Sequence, residues 1–118
     1  MGRILIVEDD PWSRRIVCDL LEMHGYEVLA AGDVATARAL LEAQPVLILL
    51  DIHVPGGGGQ ALLAEIRARE GMAALPVIAF TASAMAGDRE RFLKEGFTGY
   101  LSKPIDVKEF ARTIASYL

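Results

Sequence analysis

The chain has little cysteine, little histidine and no long apolar run, and each shortage excludes a class of protein. Cys18 is the single cysteine. It forbids an internal disulfide and any cysteine-based zinc cage. The two histidines, His24 and His53, supply no His–Cys set that would point to zinc. The longest apolar stretches span residues 46–50 and 73–80, the second broken by Pro76. Both fall far short of the roughly 18–20 residues of a membrane span. The start, Met1-Gly2-Arg3-Ile4, has no signal-peptide layout, and Ile6 stands where a myristoylation signal needs a hydroxyl. A cytoplasmic location is therefore expected. Charge of one sign is scarce too: 12 Lys and Arg against 16 Asp and Glu leave a formal −4. So mild an acidic balance disfavours direct binding to nucleic acid or to anionic membranes.

What is present is enough for one core. The chain has 118 residues, 53% of them hydrophobic and 24% charged. That is a single domain over residues 1–118 and not a disordered chain. No linker, repeat or charge block interrupts it. Short β-branched or apolar runs alternate instead with stretches of helical spacing. The first strand covers residues 4–7 and ends abruptly in Glu8-Asp9-Asp10. Asp10-Pro11 reads as an N-cap and a first-turn proline, and Gly25 is placed to end that helix. Trp12, Ile16 and Leu20 lie on one stripe of it and are expected in the core. A second strand is expected at 26–31, and a helix capped by Asp33 to about residue 43, stopped by Pro45. Residues 46–50 form an apolar strand without polar alternation, which argues burial on both faces. Four glycines at 56–59 make a loop, followed by a helix at 61–69. A strand at 76–80, a helix at 85–95 closed by Gly96, and a short strand at 99–101 come next. Asp106-Val107-Lys108-Glu109 opens the last helix, which runs to Tyr117.

Five such units predict an α/β fold, an open parallel sheet with five helices spread over both faces. For five strands the doubly wound, flavodoxin-like order is 2-1-3-4-5. In such sheets ligands bind beyond the carboxyl ends of the strands, where the strand order reverses. The residues just past each strand are therefore the candidates. The first strand delivers Glu8 and Asp9, the third Asp51, the fourth Thr81 and the fifth Lys103. Three carboxylates would meet one hydroxyl and one ammonium. Without a cation the carboxylates repel. A hard divalent cation that prefers oxygen ligands, magnesium or manganese, removes the conflict. Asp51, on the most buried strand, is also placed to act as a nucleophile toward phosphorus. Lys103 would then neutralise charge on the transferring group, and Thr81 would donate a hydrogen bond to it. Taken singly, each of these residues has a plain structural reading as a cap, a turn residue or a solvated charge. Their joint placement carries the functional one.

Four segments make the pattern specific: residues 4–10, residues 49–55, Phe80-Thr81-Ala82 and Tyr100-Leu101-Ser102-Lys103-Pro104. Together, in this order and at these spacings, they resemble the receiver domain of two-component response regulators over essentially the whole chain. The resemblance implies a phosphoacceptor at Asp51. It implies a magnesium site from Glu8, Asp9 and Asp51, with the backbone carbonyl of His53 as a further ligand. It assigns Thr81 as the switch hydroxyl, Lys103 as the phosphate-pairing lysine and Ala82 as the small residue of the phosphoryl pocket. Tyr100 takes the aromatic switch position, and Pro104 a position often preceded by a cis peptide bond. His53 and Ser83 fall where this family tunes the lifetime of the phosphoryl group. Glu8 departs from the Asp of many members, and of the four loop glycines only Gly59 matches a frequent family glycine. The three others make a mobile loop the expectation.

The implied partners are a histidine kinase or histidine phosphotransfer protein on the input side. On the output side a protein target would meet the face of the fourth helix, fifth strand and fifth helix. With no effector segment after residue 117, output through protein contact is expected, and nucleic-acid binding is not. A stand-alone receiver of the chemotaxis or cell-cycle type and a domain of a hybrid kinase or larger regulator both remain open. A different class, an aspartyl-phosphate phosphatase of the haloacid dehalogenase kind, needs a second acid two positions after the nucleophile, where this chain has His53. An FMN-binding flavodoxin needs a hydroxyl-rich loop after the first strand, where Glu8-Asp9-Asp10 would repel phosphate.

Overall fold

The structure, a computed structural model, describes residues 2–56, 58–82 and 87–118. The elements run β1 (Arg3–Val7), α1 (Pro11–Met23), β2 (Glu27–Ala31), α2 (Val34–Leu40), β3 (Leu47–Asp51) and α3 (Gly59–Ala68). They continue with β4 (Val77–Thr81), α4 (Asp88–Glu95), β5 (Gly99–Ser102) and α5 (Val107–Ser116). All neighbouring strands pair in parallel, in the order β2-β1-β3-β4-β5. The expected α/β architecture and strand order are both found.

The helix starts follow from hydrogen-bond accounting. The first turn of a helix leaves backbone N–H groups without helical partners. The Asp10 carboxylate takes the N–H of Trp12, that of Asp33 takes Thr36, and that of Asp106 takes Lys108 and Glu109. Gly96 ends α4 at φ 111°, a left-handed cap that suits glycine. Two limits differ from the expectation by more than one residue. The helix after Asp33 is α-helical only to Leu40 and tightens into a 3-10 turn over Leu41–Ala43, closed by Gln44 at φ 56°. The third helix starts at Gly59, two residues before Ala61. The start expected for the fourth helix, at Met85, lies outside the described residues.

Alternate strand residues point to opposite faces, and each face has its own core. On one side Ile4, Ile6, Leu47, Leu49, Ile78 and Phe80 pack against Val17 and Leu21 of α1 and Phe110 and Ile114 of α5. On the other, Leu5, Val7, Ile48, Leu50, Val77 and Ala79 pack under α2, α3 and α4. Among the described residues no helix is long and apolar enough to cross a membrane.

The expected core stripe of α1 is a correction. Trp12 is 74% exposed and Ile16 42% exposed. A helix buries one face, and here that face is centred on Val17 and Leu21 beside the sheet. Ile16 sits about 100° round the helix from Val17, and Trp12 about 140°. Leu20 is only partly buried. Cys18 is half-buried and free, and His24 caps the end of α1.

Arg67, which the sequence does not single out, ties the amino-terminal edge of the sheet together. Its guanidinium donates to the carbonyls of Gly96 at 2.9 and 3.0 Å and of Leu75 at 2.6 Å, and to Thr98 Oγ1 at 3.3 Å. Thr98 Oγ1 in turn accepts the N–H of Val77 at 3.0 Å. One side chain thus joins α3, the start of β4 and the end of α4. Arg67→Ala leaves several part-buried acceptors without their donor. The expected cost is roughly 2–4 kcal/mol, seen as a fall of about 10 °C in the thermal midpoint. A fall of no more than ~2 °C would show that water replaces the guanidinium freely.

Candidate metal and phosphoacceptor site

Strand parity decides which strand-end side chains meet. Ile4 and Ile6 face α1 and α5, so Glu8, two residues on, follows the same side. Leu47 and Leu49 do the same for Asp51. Because β1 and β3 are neighbours at the point where strand order reverses, both side chains enter one crevice. Glu8, Asp9 and Asp51 each bring a carboxylate oxygen within 4.8 Å of the others. Glu8 is 1% and Asp51 4% exposed, whereas Asp9 faces solvent.

Lys103 reaches into the same crevice from the end of β5. Its Nζ lies 2.6 Å from Glu8 Oε2 and 3.3 Å from Asp51 Oδ2, and 4.9 Å from the centre of the Phe80 ring. Glu8 Oε1 accepts the N–H of Asp10 at 3.2 Å, and Asp51 Oδ1 accepts that of His53 at 3.0 Å. One ammonium therefore serves two buried carboxylates, with a third close by. The imbalance shows in the titration of both partners. Burial, aided by the charge of Asp51, raises the Glu8 carboxyl above its usual range despite the hydrogen bond from Lys103. Burial alone would lower the Lys103 ammonium, but the Glu8 hydrogen bond and the Asp51 charge outweigh it and hold Lys103 above its usual value.

A cluster with this surplus of anionic oxygen fits a divalent cation. The donors are carboxylate oxygens only, and the exposed side at Asp9 leaves room for the waters that magnesium retains. Among the described residues the cluster holds no nitrogen or sulfur donor, which argues against zinc.

The other candidate residues lie on the neighbouring elements. Thr81 is fully buried at the end of β4. Tyr100 is half-buried, its ring 5.9 Å from that of Phe92. Parity puts both under α4, since Ala79 and Tyr100 belong to that core. Ala82 and the side chain of His53 are exposed, and the Lys103-Pro104 bond is cis. Ser83 lies outside the described residues. Beside Lys103 a cavity of about 270 Å³ opens, lined by Ser13, Ile16, Phe80, Pro104 and Ile105.

The sequence reading missed two supports. Arg14 donates to the Glu8 carbonyl at 2.8 Å. Gly59 packs directly beneath the phosphoacceptor candidate: a Cβ there would stand 2.8 Å from the Asp51 carbonyl oxygen and 2.7 Å from Ile52 Cα. Ala in place of a helical Gly ordinarily stabilises by about 1 kcal/mol. Here the clash is with backbone, so the sign reverses. Gly59→Ala is expected to destabilise by about 1–3 kcal/mol, measured by denaturant titration. A stabilised variant would contradict the close packing.

The comparisons with known proteins agree with this geometry. Residues 4–115 match the model of the response regulator receiver domain. The polar-differentiation response regulator DivK of Brucella ovis is 40% identical over 116 residues, covering 98% of this chain and 94% of that protein. Among solved structures, the Vibrio cholerae chemotaxis response regulator CheY4 superposes with a TM-score of 0.92 at 26% identity, covering 100% of this chain and 99% of that one. The receiver domain of the sensor histidine kinase PA1611 from Pseudomonas aeruginosa PAO1, solved with a magnesium ion coordinated in its active-site cleft, superposes at 0.88 with 35% identity, covering 98% and 96%. The carboxylates gathered at the switch point of a 2-1-3-4-5 sheet and the sequence match lead to one result: the chain belongs to the response regulator receiver domain family of two-component systems.

Proposed function

We propose that this chain, over residues 1–118, is a phosphoacceptor switch in which Asp51 takes a phosphoryl group from a phosphohistidine. The observation that carries the reading is Lys103 Nζ standing 2.6 Å from Glu8 and 3.3 Å from Asp51, with Asp9 completing the carboxylate cluster. Glu8, Asp9 and Asp51, with the His53 carbonyl, would hold magnesium (or manganese). The bound ion supplies positive charge to the oxygens of the transferring group. Asp51 Oδ attacks phosphorus, an O–P bond forms, and the P–N bond to the donor imidazole breaks as the imidazole leaves with its electron pair. Lys103 moves its hydrogen bond from Asp51 to a phosphoryl oxygen and neutralises charge there. Ala82 leaves the group room.

The new anion then draws the Thr81 hydroxyl toward it. Thr81 and Tyr100 share the α4 side of the sheet, so the space that Thr81 vacates is open to the ring. Tyr100 moves inward, which reshapes the surface of α4, β5 and α5 that a protein target reads. This is a shift between two packings biased by a local charge change. Receiver domains are signalling domains served by histidine kinases or phosphotransfer proteins, with targets downstream. We place the protein in the cytoplasm, with no direct nucleic-acid contact. His53, exposed beside Asp51, is the residue whose side chain would set the lifetime of the acyl phosphate.

The phosphatase alternative is not favoured, since the chain matches the receiver family and carries His53 where the second acid belongs. The discriminating experiment is intact mass after incubation with acetyl phosphate. A single phosphoryl adduct that forms with magnesium and not with EDTA is the expected result. Sustained turnover of a phosphomonoester, or an adduct indifferent to EDTA, would overturn the reading.

A further inference from the structure

We propose that Arg14 is a positioning residue of the cation site and acts through the main chain that links Glu8 to Asp9. The inference rests on the metal-dependent reading above. Glu8 is held at every polar atom. Its N–H donates to the Ala31 carbonyl at 2.9 Å. Its carboxylate takes Asp10 N–H and Lys103 Nζ. Its carbonyl accepts Arg14 Nη1 at 2.8 Å. That carbonyl and the N–H of Asp9 belong to one planar peptide unit, so fixing the oxygen fixes the axis from which the Asp9 side chain departs.

Asp9 needs this support more than its neighbours. Glu8 and Asp51 are buried, and their carboxylates are hydrogen-bonded. Asp9 is exposed, and among the described residues no group holds its carboxylate. Where it stands relative to the other two is therefore set by its backbone, with no side-chain contact to correct a shift. Arg14 itself is seated, not loose: it is half-buried, and a Cβ on Gly32 would come within 3.0 Å of its Nη1. The glycine leaves the guanidinium its place between the ends of β1 and β2. Arg15, the next residue, points instead to Asp19 at the surface, 3.6 Å away.

Charge alone predicts the opposite effect, which makes the test sharp. A guanidinium near a carboxylate cluster repels an incoming cation. Removing it, if charge were its only role, would tighten magnesium binding. If it positions Asp9, removing it weakens binding. Arg14→Met keeps most of the stem and deletes the charge and the donors. The experiment is calorimetric titration of the full chain with magnesium chloride, beside a metal-free thermal melt. The expected result is about tenfold weaker binding, the size typical of losing an outer support of a metal ligand, with partial recovery in Arg14→Lys. Gly32→Ala, which displaces the tip of the same side chain by only a few tenths of an ångström and keeps its charge, is expected to weaken binding less, and Arg14→Lys decides the matter if Arg14→Met does not fold. Equal or tighter binding in these variants overturns the proposal while leaving the phosphoacceptor reading intact. A wild-type chain that takes up no magnesium overturns both.

Discussion

Asp51→Asn is expected to take up no phosphoryl group from acetyl phosphate, while its fold is kept. The amide has the shape of the carboxylate but lacks the anionic oxygen that forms the bond. Loss of a nucleophile costs on the order of 10⁶-fold in rate, which is below detection by intact mass. The side chain lies in a crevice where two buried carboxylates share one ammonium. An uncharged residue of equal size relieves that crowding, so a melting temperature within a few degrees of wild type is expected. Magnesium should bind more weakly, because one of three anionic ligands is gone. An adduct of normal yield on Asp51→Asn would remove Asp51 from its proposed role.

Lys103→Met is expected to fail differently. Asp51 remains, so the adduct still forms, but slowly. The ammonium that would meet the developing charge is lost, and loss of one such group costs about 10²–10³-fold in rate. The metal-free protein also loses stability. Lys103 is only 21% exposed at its side chain, and Glu8 beneath it is buried. Breaking such a pair from one side costs roughly 3 kcal/mol, softened because Glu8 then takes up a proton. Magnesium supplies positive charge to the same oxygens, so the stabilisation it confers should be larger in the variant than in wild type. Stopped-flow or timed mass measurements and denaturant titrations with and without magnesium read both effects. A wild-type rate would show that Lys103 has no part in phosphoryl transfer.

The convergence of Glu8, Asp9, Asp51 and Lys103 was legible because it needs no side-chain detail. An alternating chain implies a parallel sheet, a parallel sheet puts all carboxyl ends at one edge, and the residue after each strand can then be read off. Caps were legible for the same reason: Asp10, Asp33 and Asp106 act on N–H groups two or three residues away. What failed depended on approach between distant segments. The buried stripe of α1 turns on how that helix rolls against the sheet. A rotation of one residue exchanges Ile16 and Leu20 for Val17 and Leu21 and leaves Trp12 in solvent. The start of α3 at Gly59 reads as loop in a run of glycines. It is helix because only a residue without Cβ fits against the Asp51 carbonyl.

The arginines show the limit most clearly. Arg14 and Arg15 are adjacent and chemically identical, yet one grips the Glu8 carbonyl and the other lies at the surface beside Asp19. Arg67 crosses 29 residues of sequence to reach Gly96. Nothing in local spacing separates these cases. Likewise the sequence assigned Lys103 to the phosphoryl group, and did not foresee that Glu8 is its nearer partner at 2.6 Å.

The central claim is that Asp51 carries the phosphoryl group, and the direct test is to find the modified residue. The wild-type chain would be phosphorylated with acetyl phosphate and magnesium, reduced with borohydride and digested. An aspartyl phosphate is reduced to homoserine under these conditions, and peptide sequencing by mass spectrometry locates it. Homoserine at position 51, and at no other acidic position, is the predicted result. A phosphoryl group retained on His53 or Thr81, homoserine at position 9, or hydroxynorvaline (the alcohol of a reduced glutamyl phosphate) at position 8 in place of homoserine at 51, would contradict the account.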